Sequence, residues 1–346
     1  MSKRFLNNRS AFAALLLLGL LILLSVVGPL LSPYSYKEQL KNEKGEILSN
    51  MPPKIPALSF LGVAEGRRTL KDRKSSLLED PARYPEGCIL EVQNRRMGSR
   101  GEEYCDVVVD YYRYMGLGEE AAFWFGTDSL GRDLWTRIWR GTRISLLMAL
   151  FAVGADLLIG VSYGAFCGFY GGKRDLLLMR FCEILQSIPN VILCTMFILL
   201  VGRGIFAMIL ALAARNWVET ARLSRAQFLR YKNREFALAA QAMGVKDSRL
   251  IFRHILPNAM GPLITGATLA IPAAIFMESF LSYIGLGIPA PEPSLGTLLA
   301  EAQSLLGTYP HQVLLPALVI ALLMLAFHLF SNGLRDAFDP RQEGEI

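Results

Sequence analysis

Apolar residues along this chain gather in runs too long for a globular core. Residues 11–31 form one uncharged run. Residues 144–170 hold a single charge, Asp156, residues 181–201 only Glu183, and residues 259–288 only Glu278. Residues 313–330 are uncharged, with His328 near their end. A bilayer core takes about 20 apolar residues per helix, so each run predicts a membrane span. A sixth span is expected over 204–221, where Arg215 and Glu219 stand i,i+4 and are placed to pair on one helix face. The expected fold class is therefore an all-α membrane protein of six transmembrane helices, with a large extracytoplasmic insertion after the first.

Composition agrees. The chain is 52% hydrophobic and only 19% charged, outside the range of an ordinary soluble domain. The first run follows Lys3, Arg4 and Arg9, as a signal peptide would. It is longer than a signal core, and no small-x-small site follows, so it reads as an uncleaved span.

Basic residues set the orientation. With the N-terminus inside, the inner connections hold Lys3, Arg4, Arg9, Lys173, Arg174, Arg180, the basic cluster from Arg222 to Arg253, Arg335 and Arg341. The short outer connections hold only Arg203. This predicts both termini and the loop 221–258 in the cytoplasm. The same asymmetry accounts for the net charge of +6. The basic residues lack interleaved aromatics on a soluble face, so no nucleic-acid partner is expected.

Three regions follow: residues 1–32 (tail and first span), 33–126 (extracytoplasmic insertion) and 127–341 (a core of five spans). The insertion is proline-rich and polar, with a strand-like patch at residues 106–112. It reads as either a small domain or an irregular loop. Cys88 and Cys105 lie in it, and an oxidising space permits a disulfide between them. Cys167, Cys182 and Cys194 lie in or beside spans and read as small apolar fillers.

Residues 125–147 place Leu134, Trp135, Ile138 and Trp139 on one helix face, with Arg132, Arg137 and Arg140 away from it. This pattern predicts an interfacial amphipathic helix capped by Asp128 or Ser129. It serves as a membrane anchor or as a gate at the outer mouth.

Catalytic patterns are missing from the sequence: there is no GxxxxGK[ST] phosphate loop, HExxH, CxxC or GxSxG. Gly171-Gly172-Lys173-Arg174 has the wrong spacing and reads as a tight turn. His254, His311 and His328 are scattered, so no metal site is expected. No cofactor is expected either. Charges inside spans are costly and mark pairing or a pathway. Asp156 is expected to pair, with Arg215 as one partner, or to line a path. Glu183 is expected to reach water or a basic neighbour, and Glu278 to face the bundle interior. Pro262 and Pro272 interrupt the fifth span.

The loop 221–258 has its own logic. Residues 234–243 predict a short helix with Phe236, Ala239, Ala240 and Met243 on one face, suited to a partner's groove. Gly244 ends it. Asp247 or Ser248 caps a second helix over 249–256, and Pro257 breaks it.

This loop resembles the EAA loop of integral membrane subunits of ATP-binding-cassette importers. In ALAAQAMG and HILPN, the positions Ala239, Ala240, Gly244, Leu256 and Pro257 match that pattern. Leu238 stands where the family has glutamate, and His254 where its first isoleucine falls. FGTDSLGRD, with Asp128, Gly131, Arg132 and Asp133, followed by Arg143, is similar to a segment of the dipeptide, oligopeptide and nickel permeases. FYGGKRD, ESFLSYIGLGIPAPEP and RDAFDPR are similar to further segments of that group. The C-type permease is the nearer of its two kinds.

The resemblance implies a non-catalytic transport subunit in the bacterial inner membrane. A second permease completes the pathway, two ATPase subunits hydrolyse ATP, and an extracytoplasmic solute-binding protein delivers the cargo. The implied cargo is peptide, with nickel or another small solute as the alternative. An ion-coupled secondary transporter is the rival, but it calls for clustered carboxylates on one path. A membrane-anchored receptor or enzyme working through residues 33–126 calls for a catalytic constellation.

Overall fold

The computed structural model describes residues 8–56, 64–81, 83–98, 101–118 and 120–338. Lys3, Arg4 and residues 339–341 of the expected tail motif lie outside these. In chain order the helices are α1 (Arg9–Leu31), α2 (Tyr111–Tyr114), α3 (Leu134–Tyr170), α4 (Gly172–Ser187), α5 (Asn190–Val201) and α6 (Ile205–Tyr231). They continue with α7 (Glu235–Ala242), α8 (Asp247–Leu286), α9 (Leu295–Ala302) and α10 (Pro310–Phe338).

Among the described residues, α1, α3, α8 and α10 are long and apolar enough to cross a membrane. The run at 181–201 is not straight. It breaks at Ile188-Pro189 into α4 and α5, which meet at 87° and make a fifth span only if counted together. Proline cannot donate to a helix and biases its predecessor away from αR, which explains the break. The run at 204–221 belongs to α6, whose 27 residues carry Arg215, Glu219, Arg222, Arg225 and Arg230. The expected Arg215–Glu219 pair does not form; Arg215 instead donates to the Gln186 carbonyl at 3.0 Å.

The all-α expectation also fails in the insertion. A three-stranded antiparallel sheet stands there, in the order β1 (Arg67–Lys74), β3 (Glu103–Asp110), β2 (Ile89–Met97). Central β3 buries Cys105, Val107 and Val109. The edge strands are strongly charged, which keeps their open sides from pairing further. The disulfide that an oxidising space would permit does not form, and Cys88 and Cys105 are free buried thiols. The Cys88 carbonyl accepts from Asp110 N, five residues along β3 from Cys105. At about 3.3 Å per residue the two lie roughly 16 Å apart, beyond disulfide reach.

The sheet is pinned to the bundle. Arg68 stacks on Tyr111 at 4.5 Å and on Tyr309 at 4.8 Å, and hydrogen-bonds the Tyr309 hydroxyl. Gln312, at the start of α10, donates to Asn50 Oδ1 at 2.8 Å and to the Thr127 carbonyl at 3.0 Å.

Small residues let the long helices close on one another. On α3, Gly160, Gly164 and Gly168 face α6 at four-residue spacing. A Cβ on Gly164 would stand 2.1 Å from the Ala221 carbonyl, and one on Gly168 2.7 Å from that of Arg225. This is the small-xxx-small packing by which membrane helices bring their backbones together. Apolar side chains such as Leu30, Leu158, Leu199 and Leu200 face outward, as lipid contact requires.

The bundle has two distinct ends. At one, α1 ends beside the start of α3, where Ser32 contacts Asp133, and the insertion sits nearby. At the other, Asn8 contacts Asp336, and Gly261 packs on Phe338 near α7.

Candidate functional site

At this second end, α7 is an eight-residue helix seated on the bundle. Ala237 and Ala240 are buried against Phe228, Leu250, Ile251 and Ile255. Phe236, Leu238, Ala239 and Met243 point outward, with Met243 77% exposed. Ala240 thus leaves the expected outward face. It anchors the helix while its neighbours present an apolar surface. Gly244 ends α7 as expected, with φ +75 and its N–H on the Gln241 carbonyl.

Beyond Gly244 the expected break at Pro257 does not occur. Lys246 takes the cap position in place of Asp247 or Ser248. The chain coils through a π stretch, Leu250–Ile255, and continues to Ile284, where Gly285 leaves the helical region at φ +86. A π turn bonds i to i+5, which absorbs the missing proline N–H near the first turn that follows. Pro262 and Pro272 likewise lie inside a continuous helix. Leu256 packs into the buried cluster beneath α7, whereas Pro257 and Phe252 are exposed. Nearby, Gly171 and Gly172 form the expected tight turn at φ +64 and +63, and Glu183 takes its expected basic neighbour, Arg180, at 2.6 Å.

Within the bundle, Glu278 is fully buried as expected. It accepts hydrogen bonds from Ser145 (2.9 Å), Ser282 (2.8 Å) and Ser294 (2.6 Å), which ties α3, α8 and the cap of α9 together. Asp156 is 2% exposed and makes no pair with Arg215. Among the described residues neither of its carboxylate oxygens has a hydrogen-bond partner.

At the insertion end, residues 125–133 are a hydrogen-bonded loop, and the expected interfacial helix is the first part of α3. Its cap is Asp133, which accepts from Thr136 N at 2.9 Å, rather than Asp128 or Ser129. Burial pushes the Asp133 carboxyl up, against the Thr136 hydrogen bonds that favour its charge. Asp128 instead accepts from Leu130 N and Arg132 N, both at 2.9 Å, and from the Arg132 and Arg137 guanidinium groups.

Glu301 on α9 closes this cluster at 2.8 Å from Arg137 and 2.9 Å from Arg132. Both arginines are buried, where a surface position was expected. Gly131 makes the turn at φ +77, with Ile47 2.7 Å from where a Cβ would be. Arg143 is half-buried on α3 and makes no ion pair among the described residues. Arg140 grips Glu292, which also accepts from the Tyr36 hydroxyl at 2.7 Å.

Polar clusters held inside, apolar sides turned outward and several bilayer-length helices make this a multi-pass membrane protein. The chain matches the model of the binding-protein-dependent transport system inner membrane component over residues 160–344, and that of the N-terminal TM domain of oligopeptide transport permease C over residues 1–53. It is 35% identical over 340 residues to the dipeptide transport system permease protein DppC of Lactococcus lactis, covering 98% of this chain and 89% of that one.

It is also 44% identical over 218 residues to the oligopeptide transport system permease protein OppC of Bacillus subtilis, covering 63% of this chain and 72% of that one. Among solved structures it is similar to the inward-facing MetNI methionine ABC transporter, at 18% identity and TM-score 0.49 over 59% of this chain and 96% of that chain. The chain belongs to the family of binding-protein-dependent transport system inner membrane components.

Proposed function

We propose that this chain is one of two permeases of an ATP-driven peptide importer in a bacterial inner membrane. It crosses six times, with α4–α5 as one bent span and α6 as another; the even count puts both termini on one side, and the basic inner connections make that side the cytoplasm. The insertion stands outside and receives cargo from a solute-binding protein. Peptide cargo is supported by the relatives, which are named as dipeptide and oligopeptide permeases.

The outward apolar face of α7 is the observation that carries this reading. Phe236, Leu238 and Met243 are exposed at an end expected to meet water, on a helix too short to stand alone but held by Ala237 and Ala240. An exposed apolar patch of this kind marks a protein interface. One ATPase subunit docks there and a second docks on the partner permease. ATP-driven closure of the ATPase pair then brings the two docking helices together and switches the pathway between outward and inward access.

Leu238 adds an apolar residue to this face, 50% exposed, so its ATPase partner is expected to provide an apolar groove. The test is co-purification of the ATPase subunits and uptake of labelled peptide with Met243→Asp or Gly244→Trp. Loss of both, with the permease still in the membrane, supports the reading. Retained ATPase binding and uptake in both variants overturns it.

A further inference from the structure

Among the described residues Asp156 has no ion-pair partner and no hydrogen bond of good geometry, only the Trp217 backbone amide nearby, and it lies deep inside a helix expected to span the membrane. An unpaired charge there is costly and persists where it faces a polar path or a ligand. The residue does face one: it lines a crevice of about 360 Å³ between α3, α6 and α8. That volume is at the lower end for small-molecule sites.

Across the crevice stand Glu219, Asn216 and Thr220 from α6. Glu219 is close enough to act electrostatically on Asp156. The wall from α8 is apolar, with Leu263, Leu269 and Ala270. Two carboxylates offer negative charge at one end, and the wall offers cover for a hydrocarbon body. Among the described residues no third His, Cys, Asp or Glu joins them, so the donor set is poor for a divalent metal. The set fits an organic ammonium, whose N–H groups match carboxylate and amide acceptors and whose charge the two acids neutralise.

We propose that this crevice is a subsite of the transport path that takes the N-terminal ammonium of the passing peptide, with Asp156 as its principal acceptor. The proposal rests on the peptide-importer reading above. Such a contact would replace the hydration lost as the charged terminus enters the membrane, and would orient the peptide amino end first toward α3.

The experiment uses the assembled importer in proteoliposomes with its binding protein. It compares two peptides that differ only in acetylation of the N-terminus, each rate being normalised to that peptide's affinity for the binding protein. The wild type is expected to import the free-amine peptide at least roughly tenfold faster, the order of one lost charged contact. Asp156→Asn, which keeps the side-chain shape, is expected to erase most of that preference, with Thr220→Val giving a smaller loss. Subunits should still co-purify with Asp156→Asn.

A preference unchanged in Asp156→Asn overturns the subsite while leaving the peptide reading intact. Loss of the partner permease from Asp156→Asn preparations also overturns it, because the carboxylate then serves as an ion-pair partner between subunits. A wild type that imports neither peptide overturns the functional reading and the subsite with it.

Discussion

Arg225 closes a two-pronged ion pair on Asp175, Nε to Oδ1 and Nη2 to Oδ2, each at 2.5 Å. Asp175 lies in the first turn of α4, where its charge also suits the helix dipole. The pair fixes α4 to α6 just beyond the Gly171-Gly172 turn. Arg225→Lys keeps the charge but gives up the fork, and Arg225→Ala leaves a nearly buried carboxylate alone. With the arginine about a third exposed, the expected losses of stability are about 1 kcal/mol for Lys and about 2–3 kcal/mol for Ala. Thermal unfolding in detergent, with an Asp175→Asn double-mutant cycle, measures both.

The α3–α6 contact predicts opposite signs for two glycine substitutions. Gly164→Leu drives side-chain atoms into the Ala221 carbonyl and is expected to cost at least about 3 kcal/mol. Gly154→Ala meets nothing within 4 Å and is expected to raise stability by about 0.5 kcal/mol through helix propensity. Midpoints moving the same way in both variants would refute the packing account.

Acid is expected to loosen the insertion end. Burial works against the Glu292 charge, but the Tyr36 hydroxyl and Arg140 outweigh it and hold the carboxyl below the usual range. A lowered folded value means that the stability is present above the unfolded value of about 4.3 and is lost as pH falls through the folded one. Hydrogen exchange around Tyr36 should therefore speed up, beyond its intrinsic pH dependence, only below about pH 4. Glu292→Gln should remove that added dependence. An identical profile in the variant would assign the acid response to another group.

The free thiols Cys88 and Cys105 predict indifference to reductant. The thermal midpoint should be the same with and without dithiothreitol, and a cysteine-labelling reagent should count both as thiols after unfolding. A drop of several degrees on reduction would restore the disulfide.

At Gly244 the space around a Cβ is open, so only backbone strain opposes substitution. Gly244→Ala is expected to cost about 1 kcal/mol, the penalty of a left-handed residue. Ala240→Asp, by contrast, buries a charge in the seat of α7 and is expected to release the helix before any question of docking arises. Limited proteolysis at residues 232–246 distinguishes the two.

Much of this architecture could be read from the pattern of the chain. The long apolar runs mark the spans, and Glu278 looks inward because its helix offers no water. Gly244 ends α7 because that position requires a positive φ. Reading failed where the partner is distant in sequence. Arg132 and Arg137 look like surface cations until Glu301, well over a hundred residues later, covers them. Ala240 shares a helical stripe with Phe236, yet two buried alanines fix which side faces in.

Pro257 reads as a stop because proline ends most helices, and nothing local announces the π stretch that accommodates it. One available signal was missed: Gly160, Gly164 and Gly168 repeat every four residues and announce the α3–α6 contact directly.

The coil that runs from Asp247 to Ile284, ahead of the Gly285 kink, has a mechanical consequence. Thirty-eight residues, 247–284, at about 1.5 Å each make a rod of roughly 57 Å, nearly twice the hydrocarbon thickness. Its foot lies under the seat of α7 and its head beside the serine cage of Glu278. A sideways push at the foot cannot be absorbed by a loop, because none intervenes. It reaches the head as tilt, and the tightly clasped Glu278 cluster becomes the fulcrum on which that tilt is spent.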